Sequence, residues 1–193
     1  MNILIVRLGA LGDVVHAVPA AAALRKAFPG AGIDWLVEAK HRDIVDLVTA
    51  IDRTVTLDSP TLAGWTTVLR ALRRTSYDIA IDLQGLLKSA VLARGSGATR
   101  VVGFSASYAR ERLARLFYTD AHDPGRGGLF DPRETRHVVE INLGLLETLG
   151  LTASKAEFPI DHVDSDAARF VGQQTGGRYA LLNPGAAWPN KCR

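Results

Sequence analysis

The sequence predicts an α/β protein built on a parallel sheet, and three observations carry that expectation. Short, mostly apolar runs alternate with helical stretches along the first 150 residues, the pattern of strands covered on both faces by helices. The first run, residues 3–7, enters a glycine-bracketed turn, Gly9-Ala-Leu-Gly12-Asp13, and then a helix, the strand–loop–helix order of an open α/β sheet. A second strand–loop of similar character, residues 179–191, follows a change of composition after Gly150.

Each element has its own signal. Residues 3–7 form the first strand, and the following helix spans 14–28, ended by Pro29-Gly30. Residues 33–38 form the second strand, 43–50 a short helix and 53–57 the third strand. Pro60 suits a first helical turn, so a helix runs from 60 to 75. Residues 77–83 are the fourth strand, 86–94 a helix and 100–104 the fifth strand. Residues 106–117 are amphipathic, with Ala109, Leu113, Leu116 and Phe117 on one helical face. Residues 121–135, rich in Gly, Pro, Asp and Arg, read as a mobile surface loop. A helix over 137–149 ends at Gly150. Residues 151–164 read as a linker with one extended piece at 158–160. Asp164 or Ser165 caps a helix to Thr175, and 179–183 is a fresh strand. A strand without its crossover cannot build a parallel sheet. The expected organisation is therefore one Rossmann-like domain over 1–150, the linker 151–164, and the start of an incomplete second α/β domain over 165–193.

Composition narrows the function classes. Hydrophobic residues make up 47% and charged residues 22% of the 193, ordinary for a soluble globular chain. No apolar run approaches the roughly 20 residues that span a bilayer, and the N-terminus lacks the cleavage site of a signal peptide. The single Cys192 excludes an internal disulfide and fits a reducing cytosol. The five histidines have no metal-ligand spacing, so no metal is expected. The net charge of +3 hides a skew of 18 Arg to 5 Lys. Arg70, Arg73 and Arg74 cluster, as do Arg94, Arg100, Arg110, Arg112 and Arg115. These are either solvated helix faces or, near the second cluster, a site for an anionic partner. No nucleic-acid-binding motif accompanies them.

Three loops carry the chemistry. Gly9-Ala-Leu-Gly12-Asp13 is not the dinucleotide fingerprint, which needs a third glycine. Glu38 does end the second strand, so a nicotinamide-dependent Rossmann oxidoreductase stays open. Asp13 is either a helix cap or an acid–base group aimed into a cleft. Asp82-Leu-Gln84-Gly85-Leu-Leu-Lys88-Ser89 follows the fourth strand and faces the same crevice, with ordinary capping as the plainer reading. His16, one turn past Asp13, lines that cleft or packs; His137 reads as a helix N-terminal or core residue. Asn183-Pro-Gly-Ala-Ala-Trp-Pro-Asn-Lys191 has small residues that leave backbone N–H groups open, and a lysine to meet phosphate. It lacks the spacing of a nucleotide-hydrolase P-loop.

Together these motifs resemble the lipopolysaccharide heptosyltransferases of glycosyltransferase family 9, of the heptosyltransferase I type. The segments that carry the resemblance are G-A-L-G-D-V-V-H-A-V-P-A, I-D-L-Q-G-L-L-K-S-A, A-R-E-R-L-A-R-L-F-Y and N-P-G-A-A-x-x-x-K. The resemblance implies a GT-B fold, in which an N-terminal Rossmann-like domain binds the acceptor and a C-terminal one binds the nucleotide sugar. It implies inverting transfer of heptose from ADP-heptose to a Kdo sugar of the lipopolysaccharide inner core, without metal or other cofactor. Asp13 matches the general base. Gly12, Gln84, Lys88 and Arg110 fall on the acceptor side; Ala186, Ala187 and Lys191 fall at the donor phosphates. Cytoplasmic placement, peripheral on the inner face of the inner membrane, follows from such an acceptor. The family continues its lysine loop into a longer donor domain, so these residues alone are expected to turn over little or no donor. A non-catalytic acceptor-binding domain is the other expectation.

Overall fold

A computed structural model describes residues 1–125, 127–152, 155–163, 165–176, 178 and 180. Met1–Asp161 form one compact unit and His162–Arg193 a second. In the first unit the strands β1 (Asn2–Val6), β2 (Gly32–Glu38), β3 (Arg53–Leu57), β4 (Ile79–Asp82), β5 (Arg100–Phe104) and β6 (Asp120–His122) make a single sheet of order β3-β2-β1-β4-β5-β6. Every pairing is parallel, as the alternating pattern predicts. Ile3, Leu4, Ile5, Val6, Ile33, Trp35, Leu36, Val37, Ala80 and Ile81 are all buried. Strands this apolar need helices on both faces.

The helices are α1 (Leu11–Val15), α2 (Val18–Ala27), α3 (Arg42–Asp46), α4 (Leu62–Leu72), α5 (Leu87–Gly95) and α6 (Val138–Gly144), with 3-10 turns at Arg112–Phe117 and Leu145–Leu149. Parallel crossovers are right-handed. The chain runs from β3 to β4, β5 and β6 in one direction along the sheet, so α4, α5 and the 112–117 turn lie on one face. It runs from β1 to β2 and β3 in the other direction, so α1, α2 and α3 cover the opposite face, where α2 packs against α6.

Strand order reverses between β1 and β4, which pair in register from Ile3↔Ile79 to Val6↔Asp82. A crevice opens beyond the carboxyl ends of the strands at such a switch point. Both loops singled out in the sequence leave from there.

Three elements differ from expectation. The helix expected over 14–28 is broken into α1 and α2 at His16-Ala17. Pro19 sits in the first turn of α2; its ring and missing N–H forbid continuation from Val15. Residues 106–117 are not one α-helix. The Ser107 carbonyl, which would bind the Glu111 N–H, accepts from Leu129 N instead (2.9 Å), while Glu111 N donates to Gly85 O at 2.9 Å. Leu113 and Leu116 are consequently exposed. The loop expected from 121 begins with the end of β6, whose three half-buried residues carry no apolar run.

Residues 158–161 lie along the first unit: Thr49 N donates to Pro159 O (3.0 Å) and Asp161 N to Leu47 O (2.8 Å). In the second unit α7 (Asp166–Thr175) is capped by Ser165, whose Oγ accepts from Ala168 N at 3.1 Å. The expected strand at 179–183, apart from Ala180, and the loop 183–191 lie outside the described residues.

Beneath the β4 loop, Asp82 is fully buried and accepts from Gln84 N (2.8 Å), Gly85 N (3.2 Å), Ser89 Oγ (2.8 Å) and Tyr118 Oη (2.7 Å). Burial pushes its carboxyl above the ordinary value, and the four donors oppose that rise. The Tyr118 ring reaches Asp82 by lying on Gly103, where a Cβ would meet ring carbons at 2.3–2.5 Å. Gly103→Ala must displace that ring and unseat its hydroxyl. We expect a loss of about 2 kcal/mol, the scale of overpacking a closed core, read as a lower urea midpoint at unchanged m-value.

Candidate active site

The site forms where β1 and β4 end side by side. Beyond Val6, Arg7 N still donates to Leu36 O (3.2 Å), and Glu38 N donates to Leu8 O (3.0 Å). The chain is thus held to β2 up to the start of the turn. Gly9 then passes His41 so closely that a Cβ would sit 3.1 Å from its Nε2. Gly12 has open space on its side-chain side, so a ligand can approach the backbone there.

Asp13 lies within the first turn of α1; the cap residue is Ala10, and no side chain caps the helix. The capping reading of Asp13 is therefore corrected. Its carboxylate, 23% exposed, meets two arginines. Arg7 Nη2 is 2.9 Å and Arg110 Nη2 3.0 Å away, both from Oδ2. Among the described residues no donor reaches Oδ1. Arg7 is 2% exposed, Asp13 23% and Arg110 38%, so one guanidinium supports the carboxylate from inside and the other from the solvent side. Arg7 Nη1 also donates to Leu83 O, tying β1 to the end of β4. Its Nε and Nη2 are buried and make no aligned hydrogen bond, so Nη2 meets Asp13 as an ion pair. Burial pushes the Arg7 pKa below its ordinary value, Asp13 opposes that fall, and Arg110 adds to it.

The β4 loop supplies the other candidates. Gln84 is buried, and its Oε1 accepts from Leu8 N at 2.7 Å; it locks the two loops together. Gly85 adopts φ +70, and a Cβ there would stand 3.2 Å from Ala109 Cα and Arg110 N. Only glycine lets the segment carrying Arg110 come this close to the loop. Lys88 does not touch Asp13. Its Nζ binds Glu38 Oε1 at 2.9 Å, and Lys40 binds Glu38 Oε2 at 2.8 Å. With Leu57, Asp58, Pro60 and Trp65 these residues line a groove of about 400 Å³ beyond β2 and β3. The carboxylate that a dinucleotide site would turn to a ribose is thus engaged by two lysines.

On the other side of Asp13, the His16 and His137 rings meet edge to face, with centroids 5.0 Å apart. Asn142 Nδ2 donates to His16 O at 3.1 Å. His137 Nδ1 accepts from Val139 N at 3.3 Å and caps α6. Ala186, Ala187 and Lys191 lie outside the described residues. Sequence reasoning missed Arg7 as a site residue; the available signal was a lone charge closing an apolar run just before the turn.

Chemically, the crevice offers one carboxylate oxygen held open, a positive rim from Arg110 and Lys88, and exposed backbone at Gly12. That suits an anionic, hydroxyl-bearing ligand.

Comparison with known proteins agrees with this architecture. The family described as glycosyltransferase family 9 (heptosyltransferase) matches residues 65–192. Lipopolysaccharide heptosyltransferase 1 of Pseudomonas aeruginosa is 31% identical over 99% of this chain and 54% of its own length. The structure of E. coli heptosyltransferase WaaC with ADP-2-deoxy-2-fluoro heptose superposes with a TM-score of 0.69 at 30% identity, covering 82% of this chain and 51% of that one. A glycosyltransferase family 9 structure from Veillonella parvula shares the fold, with a TM-score of 0.75 at 24% identity over 97% of this chain and 54% of that one. The chain spans about half the length of the curated relatives it matches.

The Glu38 pairings predict a pH effect. Burial raises the Glu38 pKa, but Lys40 and Lys88 more than offset this and hold it below its ordinary 4.5. A depressed carboxylate contributes stability that is complete above the unfolded pKa and lost as pH falls through the folded one. Glu38→Gln should therefore lower stability near neutrality and leave a shallower acid dependence below pH 4.5, measured by urea unfolding across pH.

Proposed function

Because the chain belongs to glycosyltransferase family 9, the heptosyltransferases, we propose that it serves an inverting transfer of heptose from ADP-heptose to a Kdo sugar of the lipopolysaccharide inner core. Residues 1–150 are then its acceptor-binding domain. One observation carries the reading: the Asp13 carboxylate at the switch point, fixed through Oδ2 by Arg7 and Arg110, with Oδ1 left for a substrate hydroxyl.

In this reading the acceptor hydroxyl attacks the anomeric carbon opposite the departing ADP. The glycosidic C–O bond forms as the bond to the diphosphate oxygen breaks, and the hydroxyl proton passes to Oδ1 of Asp13. Arg7 orients the carboxylate from the protein interior. Arg110 and Lys88 bind acidic groups of the acceptor, and Gly12 allows its approach. Gln84 positions the turn through Leu8 N. The donor side falls to Ala186, Ala187 and Lys191, whose backbone amides and ammonium meet the growing charge on ADP without a metal or other cofactor. The nucleotide sugar bound in the WaaC structure supports the donor class. A cytoplasmic protein working at the inner face of the membrane fits a lipid-borne acceptor.

Asp13→Asn should retain acceptor binding by titration calorimetry with a Kdo-containing acceptor. With both halves of the family fold present, it should lose transfer from ADP-heptose by roughly 100- to 10,000-fold, the span of general-base contributions. A near-normal rate would remove Asp13 as base.

Arg110→Ala should weaken the same calorimetric affinity by roughly 10- to 100-fold, as expected for a charge-assisted contact, and flatten its salt dependence. Unchanged affinity would place the acceptor elsewhere.

A further inference from the structure

We propose that the face formed by α4, α5 and the 112–117 turn is a docking surface for an anionic phospholipid bilayer. The inference deepens the function above and rests on it only in that the acceptor there is borne on a lipid.

Charge is segregated on this face. Between residues 59 and 119 the chain has three acidic residues: Asp78, Asp82 and Glu111. Asp82 is buried inside, and Asp78 sits before β4 and accepts from Asn2 N at 2.6 Å. Glu111 belongs to the face, where its Oε2 accepts from Leu87 N (2.5 Å) at the start of α5, and the exposed Asp58 stands at its edge beside Trp65 and Lys88. The cations are Arg70, Arg73, Arg74, Lys88, Arg94, Arg112 and Arg115. The three elements form a continuous surface. Arg73 Nε donates to Gly95 O at 2.9 Å, Leu69 lies against Gly95, and α5 packs on the 112–117 turn.

Among these cations stand exposed leucines: Leu62 at 88%, Leu113 at 62%, Leu116 at 77% and Leu87 at 39%. Two shallow grooves follow α4. Trp65, Leu86, Leu87 and Val91 with Lys88 and Glu111 line one of about 440 Å³. Thr66, Leu69, Arg70, Arg73 and Arg74 line one of about 510 Å³. Leucines among arginines match the two layers of a bilayer surface: side chains that enter the acyl boundary, and guanidinium groups that bind lipid phosphates. A nucleic-acid backbone would satisfy the arginines and leave the leucines in water. The apolar groove shares Trp65 and Lys88 with the groove beside Glu38, so docking here holds the acceptor side of the site at the lipid surface.

The test is flotation of the protein with vesicles of phosphatidylcholine alone, and with vesicles of equal parts phosphatidylcholine and phosphatidylglycerol. Binding should occur only to the anionic vesicles and fall with salt. Replacing Arg70, Arg74 and Arg94, all exposed, by Gln should weaken partitioning roughly 100-fold, and by Glu further still. In a Trp188→Phe background, Trp65 emission should shift to the blue on binding, since Trp35 is already buried. The pair Leu113→Asn and Leu116→Asn should lose the salt-resistant part. Equal binding to both vesicles, an unaltered Glu variant, or retention of an RNA homopolymer but not vesicles would overturn the proposal. No sugar enters this assay. Vesicle binding without acceptor binding would overturn the transferase reading alone; the converse would overturn the docking face alone.

Discussion

A buried guanidinium holds the crevice together. Taking Arg7 out of water costs several kcal/mol unless its charge and donors are matched, and the matching groups come from different segments. Leu83 O at the end of β4 accepts from Nη1, and Asp13 in α1 supplies the countercharge. Trp35, from β2, donates to the Arg7 carbonyl at 3.2 Å. The end of β1, the neighbouring strands on either side and the first helix are thereby fixed around one residue. A neutral side chain in that place would leave the carboxylate with its solvent-side partner only.

That arrangement explains how an aspartate can be fixed in place and still be available. Both guanidinium groups approach the same oxygen, Oδ2, and among the described residues no hydrogen bond engages Oδ1. Arg7 cannot leave, since it is enclosed. Arg110 can, since it is partly in solvent and sits on a segment positioned by Gly85. Of the two arginines, Arg110 at 38% exposure is the one that solvent reaches, and Arg7 at 2% is not.

The fold was legible wherever local chemistry decided it. Apolar runs marked five of the six strands, and glycines and acids at their ends marked the loops carrying Asp13, Gln84 and Lys88. What sequence did not show were bonds made across the fold. Residues 106–117 have helical periodicity, but Gly85 O takes the Glu111 N–H and Leu129 N takes the Ser107 carbonyl. β6 is too short and too polar to announce itself. Pro19 was visible, yet the break before it was not read, because Val14 to Phe28 keeps one apolar face on either side of the break. Arg7 resembled the boundary of a strand; only the fold shows that both its flanks are enclosed.

Glu111 is bonded both to the crevice loop and to the basic face. Glu111 N binds Gly85 O in the crevice loop, and Glu111 Oε2 binds the first N–H of α5 on the outer face. A carboxylate at a helix N-terminus lies against the positive end of the helix dipole, so the face's own acidic residue is internally satisfied and its outward field stays positive. The same contact sets how Arg110, the preceding residue, reaches Asp13. Right-handed crossovers placed α4, α5 and the 112–117 turn on one side of the sheet. The switch point between β1 and β4 placed the crevice at its edge. Glu111, bonded to Gly85 O on one side and to Leu87 N on the other, lies where the two meet.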